Sequence, residues 1–312
     1  MADVVTVPDA QSLSRTRLQR HQWLHNLGRA ARTGRGAFGL SLMSFVVLVA
    51  VIGPLVAPYS STDFVTEPFS QPSHANLLGG DILGRDVLSR VLDGGWELLL
   101  MALCATAFGV IVGGIAGISA AYLRGHADGI IMRSVDVILA FPQLVFALLL
   151  VSIVGPKVWL IVLAVGVSHA PQVARVLRAA TLDISERDFV KAIELEGVSP
   201  ARVMAREILP NLVTPLMVET GLRLTYSIVI MAGLNYLGFG IPPPAPGWGL
   251  MIYENQIGLA SNLWGVVAPS VLIALLTIGT NTFTDAIARV SLGIERREEL
   301  TLLSPDLGLV NR

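Results

Sequence analysis

The sequence is short of charge. Charged residues make up 14% of the 312 positions and apolar residues 53%, so a water-soluble chain of this size would have too little charge to cover its surface. The net charge of −1 provides no basic field for nucleic acid. The single cysteine, Cys104, excludes an internal disulfide, and its apolar surroundings predict a small packed residue.

Lysine is scarcer still. Only Lys157 and Lys191 occur, and neither follows a glycine, so the chain lacks the glycine-lysine pair of a phosphate-binding loop. The five histidines are scattered, and no His-Glu-x-x-His motif occurs. The sequence therefore predicts no cofactor or metal bound by this chain. A membrane enzyme with a serine or aspartyl site stays open on spacing alone, although no residues converge on such a site.

Long apolar stretches without charge are abundant. Most approach the length of about 20 residues that a helix needs to cross a bilayer. We predict an all-α membrane protein with six transmembrane helices, at 38–57, 98–122, 137–154, 158–173, 212–237 and 263–283. Pro171 is expected to end the fourth span. A polar arm, 1–37, precedes this 38–293 transmembrane domain, and a tail, 294–312, follows it.

Basic residues are distributed unevenly between the segments that connect the spans. With six spans, 18 lysines and arginines fall on the side of the two termini and 3 fall on the opposite side. Lys and Arg are enriched in cytoplasmic segments, so we expect both termini and the long 172–211 connection to be cytoplasmic.

The 172–211 connection has the pattern of two short helices. Ser185 is expected to cap the first helix. Four residues at spacings of three and four share one face of this helix: Phe189, Ala192, Ile193 and Glu196. Gly197 suits a left-handed turn, and Pro200 begins a second helix that should stop before Pro210. Alone, the pattern fits either an amphipathic hairpin on the membrane surface or a docking element for a cytoplasmic protein.

Other candidate functional residues lie in or beside the spans. A ridge of small residues four apart is typical of helix packing in lipid, and it includes Gly109, Gly113 and Gly117. Glu219 and Arg223 are four apart in the fifth span and form a candidate ion pair, either structural or on a transport pathway. Asp136 and His169 are interpreted as caps or interfacial residues at the ends of their spans.

An outer-face motif precedes the second span and consists of Gly84, Arg85, Asp86 and Arg90. Asp86 is expected to cap the next helix. For the two arginines, pairing with surface carboxylates and contact with an external protein or a partner subunit both stay open.

The cytoplasmic connection resembles the signature loop of ABC importer permeases that work with a binding protein. The family pattern is Glu-Ala-Ala, three residues, Gly and a later Leu-Pro; the matching positions here are Lys191, Ala192, Ile193, Gly197, Leu209 and Pro210. Lys191 and Ile193 depart from the family's Glu and second Ala. Three further blocks, 78–90, 135–142 and 237–249, are similar to segments of dipeptide/oligopeptide/nickel-type permeases. The combination most resembles the second permease subunit of such systems.

This resemblance implies a transport subunit in the inner membrane of a prokaryote. Its partners would be a second homologous permease, two ATP-binding cassette subunits that carry ATP and Mg, and an extracytoplasmic substrate-binding protein. The implied substrates are di- or oligopeptides, with nickel or another small solute as the alternative. An ion-coupled secondary transporter is the alternative from another class, although such proteins usually show inverted repeats and midplane charges.

Overall fold

The computed structural model describes residues 25–292, which are largely helical. In chain order the helices are α1 (Gly34–Val56), α2 (Val87–Asp93), α3 (Trp96–Leu123), α4 (Gly125–Leu139), α5 (Gln143–Val154), α6 (Val158–Ser185), α7 (Asp188–Leu195), α8 (Pro200–Val203), α9 (Val213–Tyr236), α10 (Trp248–Asn255) and α11 (Trp264–Ser291). A π-helical turn, Met204–Ile208, and a short helical turn, Leu209–Asn211, extend α8 towards α9. The arm before residue 25 and the tail after residue 292 lie outside the described residues.

Five helical segments are long and apolar enough to cross a membrane: α1, α2 together with α3, α6, α9 and α11. α4 and α5 would make a sixth if they are counted as one span, and they are bent by 83° at the break between them. This break interrupts the segment predicted as the third span, 137–154. Its physical cause is Pro142, which disfavours the helical conformation at Phe141 and leaves α5 to begin at Gln143.

The fourth span is longer than predicted. α6 continues through Pro171 as far as Ser185, so the prediction that Pro171 ends this helix is wrong. The N–H that Pro171 lacks would have bonded the Val167 carbonyl, and the long helix continues despite the loss of that one bond. Gln143 of α5 donates a hydrogen bond (3.2 Å) to the neighbouring Ser168 carbonyl, which attaches α5 to α6 at this turn. The connection to α9 therefore begins after Ser185 and not at residue 172.

Helices α3 and α6 pack with their backbones in contact. A Cβ added to Gly109 would lie 2.7 Å from the Gly166 carbonyl oxygen, and the α6 carbonyls of Ala170 and Ala174 crowd the corresponding positions of Gly113 and Gly117. α1 and α11 meet in the same way, at Gly39 and Gly279. Small residues thus permit the close approach that drives helix association in lipid.

The opposite side of α3 carries Cys104. Its side chain is exposed, which corrects the prediction of a packed thiol. Ala105 and Gly109 occupy the face that contacts α6, and a residue adjacent to Ala105 projects about 100° away from that face. An apolar sequence context alone does not distinguish the packed side of a membrane helix from its outward side.

The two ends of the helix bundle are built differently. At one end, here called the loop end, segments 57–86 and 237–263 meet. Asn262 donates to the carbonyls of Leu78 (2.9 Å) and Gly80 (3.0 Å), and Asn255 accepts from the Ile82 N–H (3.0 Å). The opposite end, here called the hairpin end, carries the α7–α8 hairpin (188–211). The start of α1 and the end of α11 lie there too, because the chain crosses the bundle alternately.

A matched pair of alanine substitutions tests the α3–α6 contact. We expect Gly113→Ala to lower stability by about 1–3 kcal/mol, because the added methyl must displace α6. Gly129→Ala, on α4, meets no atom within 4 Å among the described residues and should stabilise its helix by about 0.5–1 kcal/mol. Thermal unfolding of the purified protein measures both. Equal unfolding temperatures for the two variants would contradict this packing.

Candidate functional site

The α7–α8 hairpin is anchored by apolar side chains to the ends of α3 and α6. The buried members of this anchor are Ile118, Ile184, Val190, Val203, Ile208 and Leu212. Ile118 belongs to α3 and Ile184 to α6, whereas Val190 and Val203 come from the two arms of the hairpin. Burying such a side chain contributes about 1.5–3 kcal/mol. The hairpin is therefore attached to the α3–α6 pair over several contacts.

The outward side of the hairpin holds most of the predicted docking residues. Exposed members are Phe189, Lys191, Ala192, Glu196, Gly197 and Leu209. Ile193, on the same face, is partly buried and packs against the apolar anchor. Leu195 is 90% exposed at the tip of α7, and sequence reasoning missed it because a leucine in an amphipathic helix is normally assigned to the buried side.

The turn of the hairpin depends on Gly197. Its φ of +75° lies in the left-handed region, and its N–H donates to the Glu194 carbonyl (3.0 Å). The helix before it begins at Asp188 without a side-chain cap. Ser185 is the last residue of α6 and donates its hydroxyl to the Leu182 carbonyl, so the predicted cap at Ser185 is wrong.

The second arm does not stop before Pro210, in contrast to the prediction. The π-helical turn Met204–Ile208 widens the chain, and Pro210 then lies within the first positions of the short turn Leu209–Asn211. A proline is tolerated in the first turn of a helix, because the N–H it lacks would have no helical partner there. Leu209 and Pro210, which match the Leu-Pro of the family pattern, thus belong to the segment that connects the hairpin to α9.

Ion pairs connect α4 to the hairpin half of α6. Arg178 binds both carboxylate oxygens of Asp128, at 2.7 and 2.6 Å, an arrangement that fixes orientation as well as distance. Arg175 contacts Asp136 at 2.6 Å, with both side chains more than half exposed. Asp136 thus lies in an exposed pair, and the bent α4–α5 crossing is attached to the same helix that carries the hairpin.

At the loop end, the predicted outer-face arginines lie in a buried cluster of four charges. The arginine–carboxylate cluster consists of Asp81, Arg85, Arg90 and Glu254. Asp81 Oδ2 accepts from Arg85 Nε (2.6 Å) and Arg90 Nη1 (2.7 Å). Glu254 Oε2 accepts from the Nη2 atoms of the same two arginines (3.0 Å each). Arg90 is 0% exposed and Arg85 is 2% exposed, so the expectation of surface pairing is corrected.

Two further members of the motif shape this cluster. Gly84 has a φ of +78°, and its missing side chain leaves room for the Thr66 carbonyl. Asp86 caps α2 by accepting from the Ser89 N–H (2.8 Å) and hydroxyl (2.7 Å). Burial raises the pKa of the Glu254 carboxyl, against the opposing effect of Arg85. Sequence reasoning missed Asp81 and Glu254 as the partners, because Glu254 lies far away in the chain.

Buried polar side chains also line the contact of α9 with α3 and α6. Glu219 and Arg223 approach to 3.1 Å, and the Arg223 guanidinium lies 5.3 Å from the centre of the Tyr226 ring. One turn further on, Ser227 binds Thr106 and His169, each at 3.0 Å. His169 is fully buried within α6 and is not interfacial. The wrong end assigned to the fourth span caused that misinterpretation.

Replacing one cation of the arginine–carboxylate cluster tests its role. We expect Arg90→Met to lower stability by about 3–5 kcal/mol, because it leaves Asp81 and Glu254 with less compensating charge in a buried site. The matched control, Arg175→Met, breaks an exposed pair and should cost no more than about 1 kcal/mol. Thermal unfolding of both variants decides the point, and similar small losses would rule out a structural role for the cluster.

Comparison with known proteins connects this architecture to transport. The family model described as binding-protein-dependent transport system inner membrane component matches residues 109–291, a stretch that includes α6, the hairpin and α9. The chain is 35% identical over 261 residues to the di/tripeptide transport system permease protein DppC of Pseudomonas aeruginosa, covering 81% of this chain and 86% of that protein. It is 32% identical over 268 residues to the dipeptide transport system permease protein DppC of Haemophilus influenzae, covering 82% and 90%.

Proposed function

The chain belongs to the family of binding-protein-dependent transport system inner membrane components, and on that premise we propose that it is a permease subunit of an ATP-driven peptide importer. The peptide assignment is supported by the two relatives named above, whose names specify di- or tripeptides. Nickel or another small solute is the alternative within the same family. The host membrane would be the inner membrane of a prokaryote.

The observation that carries the proposal is the exposed tip of the hairpin. Leu195 and Phe189 present apolar surface beside the charges of Lys191 and Glu196, at the end of an element whose other side is firmly packed. A short helix of this kind fits the recognition mode in which a helix lies in a groove of a partner protein. We assign that groove to an ATP-binding cassette subunit, two of which would bind ATP and Mg beneath the pair of permeases.

The packing supports a direct route for the force. A push on the hairpin reaches Ile118 of α3 and Ile184 of α6 through the apolar anchor. α3 and α6 are in backbone contact, so the two helices and the hairpin would move together as a rigid body. Such a movement against a second homologous permease would open the pathway alternately to each side of the membrane.

The orientation follows from the distribution of arginine. The hairpin end carries Arg124, Arg175, Arg178, Arg187, Arg202 and Arg206, which supports a cytoplasmic location for this end and for both termini. The loop end would then face outwards, where an extracytoplasmic binding protein delivers the substrate. Arg85 and Arg90 are buried, so their part in that delivery would be to hold the shape of the outer loops.

Two substitutions at one position test the coupling role. We expect Gly197→Val to abolish most ATP-driven uptake and to weaken association with the ATPase subunits, because a β-branched residue resists the left-handed conformation. Gly197→Asn should retain most activity, since asparagine adopts this conformation more readily. No described atom lies within 4 Å of a Cβ added at Gly197, so the comparison isolates the backbone effect.

The measurement is peptide uptake into vesicles that contain the complete transporter, together with co-purification of its ATPase subunits. Equal uptake by wild type and Gly197→Val would contradict the coupling role. Uptake that persists without ATP while a proton gradient is maintained would instead favour an ion-coupled secondary transporter.

A further inference from the structure

A small cavity at the loop end lies between the start of α3, the end of α9 and the segment that follows α9. Its walls include Glu97 and Met101 of α3, Ile161 of α6, and Met231 and Asn235 of α9. The cavity volume is about 10 Å³, close to the minimum that holds one water-sized group. The site is distinct from the hairpin and from the arginine–carboxylate cluster.

Two acceptor oxygens of the cavity walls need a donor. Within residues 25–292, neither Glu97 Oε2 nor Asn235 Oδ1 has a hydrogen-bond partner, and both atoms are buried. The Asn235 side chain belongs to a residue that is only 7% exposed. A buried acceptor without a donor is unfavourable, so a group that donates hydrogen bonds to both oxygens would be strongly held.

Asn235 is held firmly in place. A Cβ added to Gly240 would lie 2.5 Å from Asn235 Cγ, and one added to Gly247 would lie 2.6 Å from its Nδ2. The glycines of the following loop therefore let the backbone pack closely against the Asn235 amide, and any side chain at either position would displace it.

The charge of the cavity is uncompensated. Glu97 takes part in none of the ion pairs formed by residues 25–292, and neither does Asp93, whose negative charge acts on it. Glu97 lies in the first turn of α3, where the helix dipole favours a carboxylate. A cation is therefore preferred over a neutral donor, and the volume admits only its charged head, so any attached carbon chain would lie outside the cavity.

We propose that Glu97 and Asn235 bind the primary ammonium group of the transported solute, which is the N-terminal amine when that solute is a peptide. An ammonium has three donors and no acceptor, and its head is about the size of a water molecule. Glu97 lies in the first turn of α3 at the loop end, and part of its side chain reaches the surface there. The assignment rests on the proposed function, in which substrate arrives at that end.

Uptake of a peptide with a free amine, compared with its N-acetylated form, tests the site. The complete transporter is used at saturating concentrations of the loaded binding protein. E97Q keeps the shape of the side chain and replaces a carboxylate oxygen with a hydrogen-bond donor in a cavity that has acceptors without donors, so its unfolding temperature should not fall. We expect E97Q to lower uptake of the free-amine peptide about tenfold, the value of one charge-assisted hydrogen bond, and to leave the acetylated peptide unchanged.

The matched control is D63N, which removes a carboxylate from an exposed position of the outer loop and should alter neither rate. If E97Q slows both peptides equally or neither peptide, the ammonium site is wrong and the cavity holds only water. If the wild-type transporter carries neither peptide, the proposed function fails, and a second measurement then decides the cavity assignment by itself.

That second measurement needs no peptide. In the C104S background, M101C places a thiol in the cavity wall, and its reaction rates with 2-aminoethyl methanethiosulfonate and neutral methyl methanethiosulfonate are compared. We expect the added E97Q substitution to reduce the ratio of the two rates about tenfold, because it removes the charge that attracts the ammonium reagent. An unchanged ratio would overturn the assignment.

Discussion

The backbone contact between α3 and α6 is the constraint on which the rest of this molecule depends. Lipid offers no hydrophobic drive for two apolar helices to associate, so the attraction must come from close packing. Gly109, Gly113 and Gly117 supply it by leaving room for the carbonyl groups of α6. The hairpin is anchored on the ends of these same two helices. If α3 and α6 packed less closely, the hairpin would not be held in one position.

Charged residues are few, and the buried arginines at the loop end are paired with carboxylates. The arginine–carboxylate cluster balances two cations with two carboxylates, and it connects the loop before α2 to α10 at the loop end. Buried ion pairs seldom add much net stability compared with apolar packing, but breaking one is costly. We therefore interpret the cluster as a device that selects one arrangement of the outer loops. Glu97 differs because its charge has no such partner among residues 25–292.

The sequence was most informative about features that depend only on residues close together in the chain. The all-α membrane class is confirmed, and Gly197 has the left-handed conformation expected of it. Predictions failed mainly at prolines, because their effect depends on surroundings that a single sequence does not contain. Pro142 marks a break that was not predicted, whereas α6 continues through Pro171 as far as Ser185.

Long-range pairing explains the remaining failures. Asp81 lies only four residues before Arg85, but Glu254 is distant in the chain, and only the fold brings it to the same two arginines. His169 was assigned to a span end because the true length of α6 was not apparent, and the outward position of Cys104 depends on which face α6 covers. The residues predicted for docking lie on one continuous segment, so their place in the hairpin could be predicted from local pattern alone.

The central claim is that the hairpin and the α3–α6 pair move as one body. Its most direct test is the distance between spin labels introduced by A201C on the second arm of the hairpin and I115C on α3, both exposed positions, in the C104S background. The measurement is made on the assembled transporter with and without bound ATP, in a preparation that carries out transport. We predict the same distance distribution in both states. A shift between the two states would show that the hairpin moves independently, which would contradict the proposed transmission of force.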